Sequence, residues 1–294
     1  MDITPDESAA VVAASFDNTP DPRLKEVMQS AVRHLHDFVR EVRPTNAEWE
    51  LAIDFLTRTG QACSETRQEF ILLSDILGVS MLVETLNDAG GRLPEGDGLP
   101  VTATTVLGPF HMTTSPTRRL GENIDVVGSG MPCVVKGHVT DVSGNPIPGA
   151  KLDVWHANEE GFYDVEQPDK QPAGNGRGIF TTDEDGSYWF RTVTPRHYPI
   201  PTDGPAGGLV VQAGRAPYRP AHLHFIAEAD GYEAVTTHVF MSKSPYIDSD
   251  VVFAVKSSLI RDFVEIEDEH QAADYGVRAP FRLVQFDLAL AHAD

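Results

Sequence analysis

From Asp21 the apolar residues Leu24, Val27, Met28, Ala31, Val32, Leu35, Phe38 and Val39 recur every three or four positions. That spacing puts them on one face of a helix, and Pro44 predicts its end. Thr45-Asn46-Ala47-Glu48 follows, a hydroxyl residue and a glutamate three apart that can satisfy each other's free N–H at a helix start. It predicts a second helix carrying Trp49, Ala52, Ile53 and Leu56, with Gly60 at its C-terminal cap. Ser64 stands where it can cap a third helix over 68–77, interrupted near Gly78 and resumed as far as Leu86. Residues 89–98, with four glycines and Pro94, predict a linker or exposed loop.

After about residue 100 the pattern becomes short runs of β-branched and aromatic residues between turns. Strands are predicted over 133–139, 151–155, 188–193, 222–227, 235–241 and 281–290. Ser143-Gly144-Asn145-Pro146, Asp183-Glu184-Asp185-Gly186 and Asp230-Gly231 supply turns, the last closing a hairpin. The chain therefore reads as mainly β with an N-terminal helical region, divided into residues 1–100 and 101–294. Many short strands with Gly/Pro turns imply a β-sandwich or barrel.

Composition narrows the function classes. A net charge of -21 over 294 residues argues against nucleic acid, which attracts basic surfaces. It leaves a small anionic substrate open, because the charge at one site can oppose the global sign. Cys63 and Cys133 make neither a disulfide framework nor a zinc motif. MDITPDESAAVVAASF lacks the basic and apolar regions of a signal peptide. No stretch approaches a membrane span, so the expectation is a cytoplasmic protein with no membrane insertion.

The chemistry concentrates in the β half. His222 and His224 are two apart in a predicted strand, so both face one side while Leu223 and Phe225 face the other. By itself His-x-His also fits cupins, zinc hydrolases and plain structural strands. Tyr163 and Tyr198 each sit beside glycine or proline, a setting in which a tyrosine is more often a core residue with its hydroxyl at the rim. Together, two phenols and two imidazoles can make a site for a ferric ion. Phenolate is a hard anionic donor that favours Fe(III), and imidazole suits iron, copper or zinc. Arg219 reads either as a surface ion-pair partner or as a fixed cation at the site's edge. Asp75, in an apolar helical segment, reads from its surroundings alone as solvent-facing.

The segments DVWHANEEGFYD, RGIFTTDEDGSYWFRTV, HYPIPTDGP and RPAHLHF, in that order, resemble those of the intradiol ring-cleaving dioxygenases, non-haem ferric enzymes that act on catechols. The resemblance covers nearly the whole chain. Within the family, 72–75 and Val106-Leu107-Gly108-Pro109-Phe110 are most similar to the branch that cleaves hydroxyquinol, benzene-1,2,4-triol. His238 stands where catechol-specific members usually carry glutamine. The resemblance implies one Fe(III) per chain held by Tyr163, Tyr198, His222 and His224. Catalytic roles fall to Arg219, over the substrate ring, and to Tyr198, which leaves the metal when substrate binds. Leu72, Asp75, Val106, Leu107, Gly108, Pro109, Phe110, Ile200, Pro201, Arg219 and Val252 line the substrate pocket. It further implies a β-sandwich catalytic domain, a homodimer through the N-terminal helices with phospholipid bound there, and a small aromatic diol or triol and O2 as substrates. Catechol or chlorocatechol cleavage is the alternative within the family. Outside it, 139–150 resembles β-sandwich binding modules, and His222 with His224 would fit a cupin-like Fe(II) or zinc site.

Overall fold

The computed structural model describes residues 3–64, 67–88, 98–128 and 130–293. The expected linker at 89–98 lies outside these, apart from Gly98. The chain divides into two compact units, Met1–Gln61 and Ala62–Asp294, so the packing boundary comes well before the change of pattern near residue 100.

The first unit holds α1 (Ser8–Ala14), α2 (Pro22–Val42) and α3 (Asn46–Gln61). Asp21 caps α2, its carboxylate accepting the Arg23 and Leu24 N–H groups at 2.8 and 3.1 Å. Arg43, left-handed at φ 50°, ends it before Pro44. The reciprocal cap of α3 forms as its spacing predicts, Thr45 N–H to Glu48 at 2.7 Å and Glu48 N–H to the Thr45 hydroxyl at 3.3 Å. Gly60 lies inside the last turn rather than capping it, since α3 runs on to Gln61. Sequence reading missed α1, too short to show a period.

The second unit begins with α4 (Glu69–Ile76) and α5 (Val79–Asp88), broken at Gly78 with φ +72°. Gln68, not Ser64, stands at the N-cap of α4, and its side chain makes no capping hydrogen bond among the described residues. One five-stranded sheet is built on β1 (Pro132–Asp141). The other runs β3-β2-β7-β8-β9, with β2 (Lys151–Trp155), β3 (Arg177–Thr181), β7 (His222–Glu228), β8 (Val235–Met241) and β9 (Ile260–Arg261). Between them in the chain come β4 (Ser187–Val193), the two-residue ribbon β5 (Tyr198–Pro199) with β6 (Tyr218–Arg219), and α6 (Pro205–Gln212). The chain closes with β10 (Val264–Ile266), α7 (Glu269–Asp274), β11 (Phe281–Gln285) and β12 (Leu288–Leu290).

The strand expected over 281–290 is two. β11 pairs in parallel with Cys133–Lys136, and β12 with Val139–Asp141. Gly137 sits at the break, where a Cβ would lie 2.0 Å from the Phe286 carbonyl oxygen, so this close approach requires glycine. β4 pairs antiparallel on the other edge of β1. The inner faces of the two sheets meet through Phe225, whose ring lies 5.3 Å from Phe286 and 6.4 Å from Phe190. Leu152, Val154, Phe180, Leu223 and Val239 join that core. This is the expected β-sandwich. Among the described residues no helix is long and apolar enough to cross a membrane.

Candidate active site

β7 does what its alternation predicts. Leu223 and Phe225 enter the core, while His222 and His224 point to the opposite face, both 2% exposed. Their strand neighbours are aromatic as well. Trp155 of β2 pairs with His224 and stacks on its ring at 4.6 Å, and His238 of β8 pairs with it from the other side at 4.1 Å. The site therefore grows from the outer face of the sheet, covered by loops.

Those loops carry the tyrosines. The Asn158 side chain accepts the N–H groups of Glu160 and Phe162 at 2.9 and 3.0 Å, turning the chain through Gly161 at φ +89°. A side chain at Gly161 would stand 3.0 Å from the Tyr198 Cβ. Tyr163 follows, its ring stacked on Phe110 at 4.5 Å. Arg177, buried at the start of β3, fixes both. Its Nε donates to Asp164 at 2.8 Å and its Nη1 to the Phe110 carbonyl at 2.7 Å. Tyr198 comes from β5, paired with Arg219 of β6.

Four donor atoms converge. The Tyr163 hydroxyl lies 3.0 Å from that of Tyr198 and 2.9 Å from His224 Nε2. His222 Nε2 lies 3.4 Å from the Tyr198 hydroxyl and 3.2 Å from His224 Nε2. Such spacing suits atoms sharing one metal with bonds of about 2 Å. His222 Nδ1 donates to the Pro220 carbonyl at 2.7 Å, which leaves the Nε2 lone pair facing inward. Burial, reinforced by Arg219 at His222 and by His238 at His224, holds both imidazoles neutral well below the ordinary range. Burial also pushes both phenols up, against the pull of Arg219. Two inward-facing lone pairs and two phenols that could ionise, packed together out of water, are a donor set suited to a cation at their centre. The residues fit the metal.

Beside the donors, Leu72, Asp75, Val106, Gly108, Pro109, Phe110, Tyr198, Ile200, Pro201, Arg219 and Val252 enclose a small cavity. It shares Leu72, Pro109, Phe110, Ile200 and Pro201 with a wider outer cleft of about 540 Å³. Every expected pocket residue is brought together except Leu107, which is 44% exposed and outside the lining. Gly108 has to be glycine twice over, with φ +80° and a Cβ position 2.9 Å from His224 Cε1.

Asp75 corrects its solvent-facing reading. It is 3% exposed, and its Oδ1 has no hydrogen-bond partner among the described residues. Burial raises its pKa, opposed by Ser80 and Arg219. α4 is held in place from its N-terminus, where the buried Glu69 accepts the Ala206 N–H at 2.9 Å and pairs with Arg67 at 2.8 Å. Arg219 is not a surface residue either. It is buried and ion-paired with Asp250. For it, desolvation favours the neutral form, but Asp250 and the two phenols outweigh this and keep it charged. Sequence reading overlooked Asp250, which sits in no motif. It also noted His238 only as a departure from a pattern. His222, His224 and His238 present ring nitrogens within 4.8 Å of one another, and His238 Nδ1 bonds the Thr105 hydroxyl.

Comparison with known proteins agrees with this geometry. Residues 108–291 match the dioxygenase family model, and residues 21–92 match the catechol dioxygenase N terminus. The chain is 50% identical to a hydroxyquinol 1,2-dioxygenase of Rhizobium sp. (strain MTP-10005), over 97% of this chain and 95% of that one. It is 48% identical to a 6-chlorohydroxyquinol 1,2-dioxygenase of Cupriavidus pinatubonensis, over 90% and 93%. The crystal structure of hydroxyquinol 1,2-dioxygenase from Pseudomonas putida DLL-E4 superposes with a TM-score of 0.89 at 44% identity, over 98% and 99%. With its sandwich, its buried Tyr/Tyr/His/His cluster and these relatives, the chain belongs to the intradiol ring-cleaving dioxygenases, an enzyme family whose chemistry implies non-haem iron.

Proposed function

We propose that this enzyme cleaves hydroxyquinol between its two adjacent hydroxyl-bearing carbons, with O2, to 3-hydroxy-cis,cis-muconate, the enol form of maleylacetate. Both atoms of O2 enter the product, one at each new carboxylate. The observation that carries the substrate assignment is Asp75, a buried carboxylate with a free oxygen in the cavity that Arg219 also lines. A plain catechol has no third hydroxyl to meet it. The 50% and 48% identical relatives, named for hydroxyquinol and its chloro derivative, support the same reading.

Tyr163, Tyr198, His222 and His224 would hold one ferric ion per chain. When bound, it would supply Lewis acidity that favours ionisation of the diol. Tyr198 is the tyrosine that gives way to the substrate and takes up a diol proton at its phenolic oxygen. In support, Tyr198 lines the cavity and Tyr163 does not. Arg219 faces the ring and stabilises the negative charge that develops on it. Leu72, Val106, Ile200 and Val252 exclude water. The N-terminal helices, within residues 1–100, form a homodimer contact with phospholipid bound at it, and residues 101–294 carry the catalysis. The cytoplasm suits an enzyme whose two cysteines are not joined in a disulfide.

The test is oxygen uptake with product identification on hydroxyquinol, catechol and chlorocatechols, alongside metal analysis. The expected enzyme is red, carries about one iron per chain through its four protein ligands, and has its highest kcat/KM on hydroxyquinol. A higher kcat/KM on catechol would move it to the other branch. A colourless zinc protein without oxygen uptake would refute the proposal.

A further inference from the structure

Arg219 does not hold its own position. Its guanidinium is 3% exposed and rests on Asp250, 2% exposed, a residue that does not line the substrate cavity. Asp250 instead forms part of the wall of a separate outer cleft, with Arg215 and Phe253. It therefore stands behind the arginine, on the side away from the ring.

The Asp250 carboxylate accepts four N–H groups. Oδ1 takes Arg219 Nε at 3.2 Å and the Val252 backbone N–H at 3.4 Å. Oδ2 takes Arg219 Nη2 at 3.5 Å and the Ala254 backbone N–H at 3.1 Å. One side chain thus sets two walls of the cavity at once, the cationic one through Arg219 and the apolar one through Val252. The turn it organises is costly to form unaided, since Phe253 takes φ +60° and leaves its ring 52% exposed. Two neighbours clamp the same turn. Val251 N–H donates to the Tyr218 carbonyl at 3.1 Å, and Arg215 Nη2 donates to the Val251 carbonyl at 2.8 Å.

We propose that Asp250 is a positioning residue for ring cleavage, fixing the plane of the Arg219 guanidinium over the substrate and setting Val252 against it. The inference rests on the functional reading above. Only a carboxylate fits this role, because all four partners are donors and both oxygens are used. An asparagine keeps the shape but turns its NH2 towards two N–H groups on one side. The guanidinium then loses half of its support and tilts from where charge develops, which costs rate rather than substrate affinity.

The experiment is a double-mutant cycle of Asp250→Asn and Arg219→Ala in the iron-loaded enzyme, followed by steady-state kinetics on hydroxyquinol and by thermal unfolding. In the wild-type background Asp250→Asn should lower kcat at least about tenfold and change KM less than about threefold, with iron content and the visible band retained. In the Arg219→Ala background the same substitution should change kcat less than about threefold, since there is no arginine left to position and only the Val252 contact remains to be lost. Unfolding gives a readout independent of turnover. Asp250→Asn should lower the Tm of the wild type but raise that of Arg219→Ala, where it neutralises a buried carboxylate without its partner. Equal loss of kcat in both backgrounds, unchanged kcat, loss of iron in Asp250→Asn, or a lower Tm in both backgrounds would each overturn the proposal. Should Asp250→Asn alone fail to fold, recovery of folded protein in the double variant supports the pairing and failure to recover it refutes it. Absence of oxygen uptake by the wild type would count against the proposed function, and the unfolding arm would still decide whether Asp250 holds Arg219 in place.

Discussion

Asp75 and Arg219 face one cavity with opposite formal charges, yet only the arginine has a strong partner, in Asp250. Asp75 keeps one oxygen without a hydrogen bond among the described residues, and an orphaned buried acceptor costs about 1–3 kcal/mol. A ligand hydroxyl that meets it recovers that cost, so the residue selects for a ring with a third hydroxyl. A hydrogen bond to a charged group contributes about 1.5–3 kcal/mol, roughly tenfold to a hundredfold in kcat/KM. Asp75→Ala should therefore cut kcat/KM for hydroxyquinol by that factor while changing catechol far less. Equal losses on both substrates would make Asp75 a structural residue.

At the scale of elements, the donors are only as well placed as the backbone around them. Gly108 lies in a segment without regular structure but in contact with β7 through His224. Gly108→Ala would face left-handed strain of roughly 1–2 kcal/mol and push on the His224 ring. We expect less bound iron, a weaker visible band and a lower Tm. Full iron content in that variant would show that the ring can yield. The turn after β1 is a second case. Burial works to raise the Asp141 pKa, but hydrogen bonds from Asn145 and Ser143 outweigh it, and the group titrates below its ordinary value. A depressed carboxyl adds stability above its unfolded pKa of about 3.9, lost as pH falls through the folded value. Asp141→Ala should thus lower Tm at pH 7 by about 2–4 °C per kcal/mol lost. The gap to wild type should narrow as pH falls below 4, and a gap independent of pH would point to packing instead.

For the whole molecule, the first unit raises the question of what covers it. α2 buries none of its residues, and Leu35, Phe38, Trp49 and Leu51 are 59–65% exposed. That much exposed apolar surface on α2 and α3 is what an association surface requires, and it supports the proposed dimer. Phe38→Glu should shift a dimer towards monomer by light scattering at micromolar concentration, with the catalytic site retaining its iron. A monomeric wild type would refute the dimer.

The amino-acid sequence determined what depends on near neighbours. Period 3.6 marked α2 and α3, and period 2 placed His222 and His224 opposite Leu223 and Phe225. β2 and β8 fall on their expected residues, because turn chemistry and alternation act within a few positions. The motifs brought the four donors and nearly the whole pocket into one list. Tertiary structure decided the rest, where the partner lies far along the chain. Whether Asp75 faces solvent or substrate depends on α4 docking through Glu69 onto α6. The last strand splits into β11 and β12, each paired to a different stretch of β1, and α6, rich in glycine and valine, has too weak a period to announce itself. Asp250 becomes meaningful only beside Arg219, 31 positions away. The physical reason is the same in each case: local propensity sets how a segment folds, but burial and charge pairing are set by segments that meet only in the folded chain.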